Sequence, residues 1–145
     1  MIFDKNITLY NAFYDRDNDI IRYARTYIQG VHIEISKGIK SDGKGSLNNQ
    51  NTCSIYIPFN AYSEGKEYIS PTHFEQLSEI DRDKYFTFNS DDKVVGEMVD
   101  FELTGETENN IKTLENNFDD VFNIISIEKN DYGSNIMRHW KVGAM

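Results

Sequence analysis

The sequence predicts a mainly β protein, a small antiparallel β-barrel or sandwich with two short helices and one long flexible loop. Phe and Tyr contribute nine residues each, which is a composition typical of strands. Several segments also alternate apolar and polar side chains with a period of two. At 145 residues the chain has the size of one domain, and no Pro/Gly/Ser-rich linker divides it. We therefore expect a single domain that covers residues 1–145.

The first predicted strand is long and covers residues 19–36. Its apolar side chains recur at alternate positions, first at Ile21, Tyr23 and Tyr27 and then at Val31, Ile33 and Ile35. Gly30 lies between these two sets, so we expect a bend or bulge there. A shorter strand follows at 52–59, where Cys53, Ile55, Ile57 and Phe59 share one face and Thr52, Ser54 and Tyr56 the other. Cys53 is interpreted as a buried packing residue and not as a nucleophile.

Residues 37–51, between these strands, read KGIKSDGKGSLNNQN and contain almost no apolar side chain. This composition predicts a long mobile loop. Its lysines Lys37, Lys40 and Lys44 give it a basic character that suits an acidic neighbour, such as the acidic half of an adjacent copy. The alternative is a solvated loop without a partner.

Two short helices are predicted in the second half. Ser70 can cap a helix and Pro71 suits a first helical position, so the first is placed at 71–79. The second is indicated by three-and-four spacing of Ile111, Leu114 and Phe118.

Four more strands are predicted, at 84–89, 93–103, 120–128 and 136–142. Turn residues at 90–92 join the first two in a hairpin, and Gly133 helps to reverse the chain between the last two. In the last strand, alternation places Trp140 in the core with Ile136 and Val142, whereas His139 and Lys141 point outwards. The candidate assembly interface therefore comprises Lys37, Lys40, Lys44, His139 and Lys141.

The charge of the chain bears on its partners. The net charge is −9, and residues 73–145 hold sixteen acidic and seven basic side chains, against eight of each in residues 1–72. A duplex-binding surface needs clustered Lys and Arg, so sequence-specific nucleic-acid binding is not expected. No apolar run approaches the ~18 residues that cross a bilayer, and the N-terminus lacks a secretion signal. We expect no membrane partner and synthesis inside the cell.

The residues suggest no catalytic, cofactor or metal site. The histidines His32, His73 and His139 fall on separate elements without metal-ligand spacing. The segment DGKG at 42–45 resembles a phosphate-binding loop but lacks the strand before it and the helix after it. We therefore predict that the protein is not an enzyme and needs no cofactor.

Most of the chain outside 37–51 is similar to an uncharacterised family of small proteins from tailed bacteriophages and prophages of Gram-positive bacteria, usually found among virion assembly genes. Three segments carry the resemblance: RTYIQGVHIE, KYFTFNSDDKVVGEMVDFELTG and DDVFNIISIEKNDYGSNIMRHWKVGAM. The matching features are Gly30, Val31, Gly96, Asp100, Phe101, Asp120, Val121, Ile124, Gly133, Ser134, His139 and Trp140.

The order of elements further resembles phage head-closure, or stopper, proteins, which are small β-barrels of the neck. This resemblance implies a homo-oligomeric ring, a hexamer, between the portal-adaptor complex and the tail terminator or tail tube, with DNA passing through it. It implies a location in the virion neck after assembly in the host cytoplasm. Two alternatives stay open, a tail terminator or other tail subunit, and a monomeric β-barrel module that binds a ligand.

Overall fold

The computed structural model describes residues 1–41, 47–106, 109–134 and 137–145, without the side chains of 38–41 and 47–50. The strands in these ranges are β1 (Lys5–Asp15), β2 (Ile20–Ser41), β3 (Leu47–Pro58), β4 (Glu67–Tyr68), β5 (Tyr85–Phe86), β6 (Lys93–Val95), β7 (Val121–Asn130) and β8 (His139–Ala144). The helices are α1 (Pro71–Gln76), α2 (Glu79–Arg82) and α3 (Ile111–Asn117). Six strands close into an antiparallel barrel in the order β1-β2-β3-β8-β7-β6, which confirms the predicted class.

The prediction missed strand β1, which pairs with β2 on one side and with β6 on the other. It is the strand that closes the barrel. The five residues Ile7–Asn11 are all buried, because one face of β1 lines the barrel and the other lies under an outer layer. A strand covered on both faces lacks the simple alternation from apolar to polar that marks a half-exposed strand.

The predicted irregularity in the long strand is confirmed at Gly30. This residue has a φ of +81°, and the pairing of β1 with β2 shifts from Asn6–Gln29 to Lys5–Val31. An extra residue in one strand exchanges the two faces of that strand. Ile28 and Val31 therefore both face the barrel interior.

The bulge also corrects the facing of the residues before it. Ile21 is exposed, and Tyr23 packs on the outside of the barrel. The alternate residues before Gly30 do share one face, as the sequence indicated, but that face is the outer wall of the barrel.

The barrel interior is filled by aliphatic and aromatic side chains from all six strands and from the segment around β5. Its buried members are Ile7, Leu9, Ile28, Val31, Cys53, Ile55, Ile57, Phe86, Phe88, Val94, Phe122, Ile124, Trp140, Val142 and Ala144. The predicted core positions of Cys53 and Trp140 are confirmed. Ile136, which was grouped with Trp140, lies outside the described residues.

A second apolar cluster lies outside the barrel, under the segment that leads into α3. Tyr10, Val95, Val99, Leu103 and Leu114 are its buried members. Hydrogen bonds fix this segment to the wall. The Thr8 hydroxyl donates to the Glu97 carbonyl at 2.8 Å and the Tyr10 hydroxyl to that of Phe101 at 2.6 Å. Residues 97–103 are thus an outer cover of β1 and β2.

The hairpin predicted from 84–89 and 93–103 is wrong. β5 pairs with β4 in a separate parallel sheet, and only Lys93–Val95 is a strand, which pairs with β1 and β7. The cause lies in the turn residues. The carboxylate of Asp92 is buried and accepts hydrogen bonds from Asn11 Nδ2 at 2.7 Å, Ala12 N at 2.8 Å and Asn89 N at 2.9 Å. Asp92 joins this segment to β1 and is not an exposed turn residue.

The helix predicted at 71–79 is divided in two. Ser70 caps α1 as expected, accepting from His73 N, with Pro71 in the first turn. Ser78 then caps a new turn, α2, by accepting from Asp81 N, so the described ranges contain three short helices instead of two. The predicted second helix is confirmed as α3.

The predicted loop at 37–51 is wrong for 37–41 and 47–51, which extend β2 and β3. Ser36 pairs with Thr52, and the pairing continues to Ser41 with Leu47. The β1 partner of β2 ends at Val31, and the β8 partner of β3 ends at Cys53. Residues 36–41 and 47–52 therefore form a two-stranded ribbon beyond the barrel, here called the arm. The remaining residues, 42–46, lie outside the described part.

Candidate functional site

The outer wall of β2, β3 and β8 brings aromatic and basic side chains together. His32 lies opposite Tyr56 in the β2–β3 register, and Tyr56 lies opposite Lys141 in the β3–β8 register. We call the group Phe3, His32, Tyr56, His139 and Lys141 the Tyr56 patch. Since Ile55, Ile57, Trp140 and Val142 point into the core, the alternate positions on β3 and β8 point outwards.

Tyr56 is the centre of this patch. Its ring centroid lies 5.7 Å from that of His32 and 5.8 Å from that of His139. Lys141 Nζ lies 5.7 Å from the centroid of the same ring, within the range of a cation–π contact. Phe3 extends the patch through an edge contact with His32, at 6.3 Å between centroids. The wall thus presents flat rings beside a cation, which suits contact with another protein surface.

His139 is held by hydrogen bonds on both ring nitrogens. Nδ1 lies 2.8 Å from the Met137 carbonyl oxygen, to which only a protonated nitrogen can donate. Nε2 lies 3.0 Å from Asn130 Nδ2 and accepts from it. These two contacts occupy both ring nitrogens and connect His139 of β8 to Asn130 of β7, which fixes the β7–β8 hairpin.

His32 connects the N-terminal segment to the wall. Its Nδ1 lies 2.9 Å from the carbonyl oxygen of Ile2, and its Nε2 lies 3.2 Å from Glu34 Oε1. The contact with Ile2 brings Phe3 next to the imidazole. His32 is therefore a positioning residue of the patch.

The structure joins two of the five predicted interface residues. His139 and Lys141 both contact Tyr56. Lys37 is exposed on the arm, five residues along β2 from His32, or about 17 Å at 3.3–3.4 Å per residue. Lys40 lies in β2 without a described side chain, and Lys44 lies outside the described residues. The patch and the arm are thus separate parts of one continuous wall.

Sequence reasoning missed the residues that organise the patch, Tyr56 and His32. Tyr56 was placed on the correct face of its strand, but nothing local shows which residues of β2 and β8 lie beside it. That information is carried by the registers of two strand pairs. In the sequence, only the alternation of side chains along β3 indicated where Tyr56 lies.

Cys53 and Asp92 are buried titratable groups. Burial raises the pKa of the Cys53 thiol to about 12, so the thiol stays protonated and is a poor nucleophile. Burial also raises the pKa of Asp92 to about 6, although its three hydrogen bonds oppose the shift. Because those donors already occupy both oxygens, we interpret Asp92 as structural.

Removal of metal ions is expected to leave the protein unchanged. Within the described ranges, no group of three His, Cys, Asp or Glu side chains is placed to hold a metal ion. We predict the same melting temperature before and after dialysis against a strong chelator. A melting temperature that falls on chelation and recovers when a divalent metal is added would contradict this prediction.

Residues 2–145 match a family of unknown function (DUF6751). Neither the curated proteins nor the solved structures contain a significant match. Across the described residues, no helix is long and apolar enough to cross a membrane.

Proposed function

We propose that this chain, which belongs to the DUF6751 family of unknown function, is a non-enzymatic structural subunit of a phage head–tail connector. In this proposal it forms a homo-oligomeric ring that acts as a head-closure protein between the portal-adaptor complex and the tail. The observation that carries the assembly role is the arm. The phage context is supported by the resemblance of the sequence described above.

The arm has the features of a segment that another chain covers. Six residue pairs, from Ser36–Thr52 to Ser41–Leu47, extend it by about 20 Å at 3.4 Å per residue. An isolated two-stranded ribbon is marginally stable in water, and its unpaired edges favour pairing with another chain. At the base of the arm, Ile35 has 39% of its surface exposed. A neighbouring subunit would cover both the edges and this apolar side chain.

The charges on two separate parts of the outer wall support a head-to-tail contact. The outer cover on β1 and β2 exposes Glu97, Asp100 and Glu102. The Tyr56 patch centres on β3 and β8, and β8 is three strands from β1 in a barrel of six. The aromatic wall of one copy, with Lys141 and the arm residue Lys37, can therefore meet the acidic cover of the next. Such a heterologous contact forms a ring when its rotation from one copy to the next closes on itself.

Replacement of residues 37–51 by a two-residue Asn-Gly turn is expected to abolish assembly and preserve the fold. The arm pairs only with itself among the described strands, so its removal leaves the barrel strands and their core intact. We predict a far-UV circular dichroism spectrum that loses only the strand signal of the arm, a melting temperature within a few degrees of the parent, and monomers in native mass spectrometry.

Two charge-reversal variants test the role of the arm without a deletion, and the second of them is the control for the first. Lys37→Glu lies on the arm, whereas Lys112→Glu changes another exposed lysine, on α3. We expect weaker association for the first and unchanged association for the second. An arm-deleted chain that still forms the parent oligomer, or an unfolded one, would contradict the proposed role of the arm.

The Tyr56 patch also keeps the ligand-binding module open as a second candidate. Flat aromatic rings beside Lys141 are features of surfaces that hold sugars or other planar ligands. The two candidates differ in solution, since a binding module functions as a monomer. A saturable ligand on a monomeric chain, lost in Tyr56→Ala, would favour the module. A tail terminator would assemble in the same way and is distinguished by its position in the virion.

A further inference from the structure

Arg82, the last residue of α2, is a buried cation without a matching anion. Only 9% of its surface is exposed. Its guanidinium carbon lies 4.4 Å from the ring centroid of Phe13 and 5.7 Å from that of Phe74. Nε is enclosed and has no hydrogen-bond partner in the described part of the chain. The ion pairs of that part involve other basic residues.

A guanidinium in this position is costly unless its charge and its N–H groups find partners. The two phenyl rings offset part of the cost through cation–π contact. A ring that covers the face of a guanidinium leaves the N–H groups at its edge available. Because Nε itself is enclosed, an acceptor from outside the chain would approach the terminal Nη groups, where Arg82 lines the two clefts beside it.

Two clefts meet at Arg82, and they differ in charge. One, of about 330 Å³, is also lined by Arg25 and by the carboxylates of Glu79, Asp83 and Glu102. Three acids against two arginines repel an incoming anion. The other, of about 460 Å³, is lined by Tyr14, Arg16, Glu75, Gln76, Leu77 and Arg82. Its two arginines outnumber its one acid.

We propose that the cleft between Arg16 and Arg82 is a binding subsite for a carboxylate. The planar fork of an arginine matches the two oxygens of a carboxylate in a bidentate pair. Gln76 adds an amide donor at the same cleft, and Leu77 adds an apolar wall. Glu75 and the net charge of −9 disfavour a dianion such as phosphate. The subsite does not depend on the assembly role.

The test is a nuclear magnetic resonance titration of the full chain at neutral pH and constant ionic strength. The probes are acetate and the side-chain mimic N-acetyl-glutamate methylamide, with inorganic phosphate for comparison. We expect saturable shifts in the amides around Arg82 with either carboxylate and much weaker effects with phosphate. Saturation with both carboxylates indicates a general subsite, and saturation with the glutamyl compound alone indicates a partner's side chain.

Arg82→Met removes the charge and keeps an unbranched stem between Phe13 and Phe74. We expect it to abolish the carboxylate response with no loss of melting temperature, because it removes an uncompensated buried cation. Lys84→Met, two residues away and largely exposed, is expected to keep the response. Absence of saturation with both carboxylates, phosphate binding as tight as carboxylate binding, or an unchanged response in Arg82→Met would overturn the proposal.

Discussion

Replacement of Trp140 by Ala is expected to destabilise the protein by about 3–5 kcal/mol, as is typical for a buried Trp. The indole is 6% exposed and packs against four aromatic rings, with centroid distances of 4.4 Å to Phe59, 4.8 Å to Tyr68, 5.6 Å to Phe88 and 6.4 Å to Phe86. Such a loss is a large part of the about 5–15 kcal/mol that holds an ordinary domain folded. Urea denaturation, or loss of soluble protein, measures it.

Two further variants separate the packing energy of the Trp140 ring from the hydrogen bonds that β8 makes. Trp140→Phe keeps an aromatic ring and removes the indole N–H, which is buried without a partner in the described chain, so we expect a much smaller loss than for Ala. His139→Ala, on the outer face, removes the hydrogen bonds to Asn130 and Met137 and should cost about 1 kcal/mol. Equal, small losses for Trp140→Ala and His139→Ala would contradict the assigned facing of β8.

Replacement of Asp92 by Ala is the second change with a large expected effect. It removes the acceptor of Asn11 Nδ2, Ala12 N and Asn89 N. A buried donor without a partner costs about 1–3 kcal/mol, so the total loss is expected to approach that of Trp140→Ala. Chemical denaturation at neutral pH checks this. A loss below about 1 kcal/mol would mean that water reaches the site and replaces the carboxylate.

The same carboxylate predicts a pH dependence of stability. The pKa of Asp92 rises from 3.8 to about 6 on folding, so the folded state holds its proton more tightly than the unfolded state. The free energy of unfolding therefore falls as pH rises from about 4 to about 6, by at most about 3 kcal/mol for a two-unit shift. Below about pH 4 this contribution is complete.

Asp92→Asn provides the comparison, since the amide does not titrate in this range. As pH rises from 4 to 6, the free energy of unfolding of the parent chain is expected to fall relative to that of Asp92→Asn. Taking the difference cancels the titration of the other carboxylates. A difference that stays constant across this range would show that the pKa of Asp92 is not raised.

The sequence predicted the elements whose signals are local. In β3, alternation gave the correct inner face for Cys53, Ile55 and Ile57 because the opposite face is open to solvent. The three-and-four spacing of Ile111, Leu114 and Phe118 identified α3 for the same reason. Gly30 marked the bulge because a positive φ there favours a residue without a side chain.

Elements that depend on tertiary contacts were not predictable in this way. β1 is buried on both faces. Its polar residues looked like loop residues, but Thr8 bonds the outer cover and Asn11 bonds Thr87 and Asp92. Asp92 looked like a turn residue because its three donors come from β1 and from the turn itself. The arm was interpreted as a loop because a ribbon without a core face has no apolar alternation to show.

The candidate site was predictable only in part. His139 and Lys141 were placed on the outer face because they alternate with the inward-facing Trp140 along the strand, which is a local signal. Their grouping around Tyr56 depends on strand registers that join positions more than eighty residues apart. Arg82 was missed because its burial results from Phe13 on a distant strand.

Quantitative mass spectrometry of purified tailed particles, from cells that encode this chain, tests the central claim most directly. A head-closure subunit must remain in the finished virion, so we predict its peptides in infectious particles, in a fixed whole-number ratio to the portal subunits. Particles of a mutant that lacks the arm should contain filled heads without attached tails. Infectious particles in which this chain is absent, or present in variable traces, would contradict the proposed role in the neck.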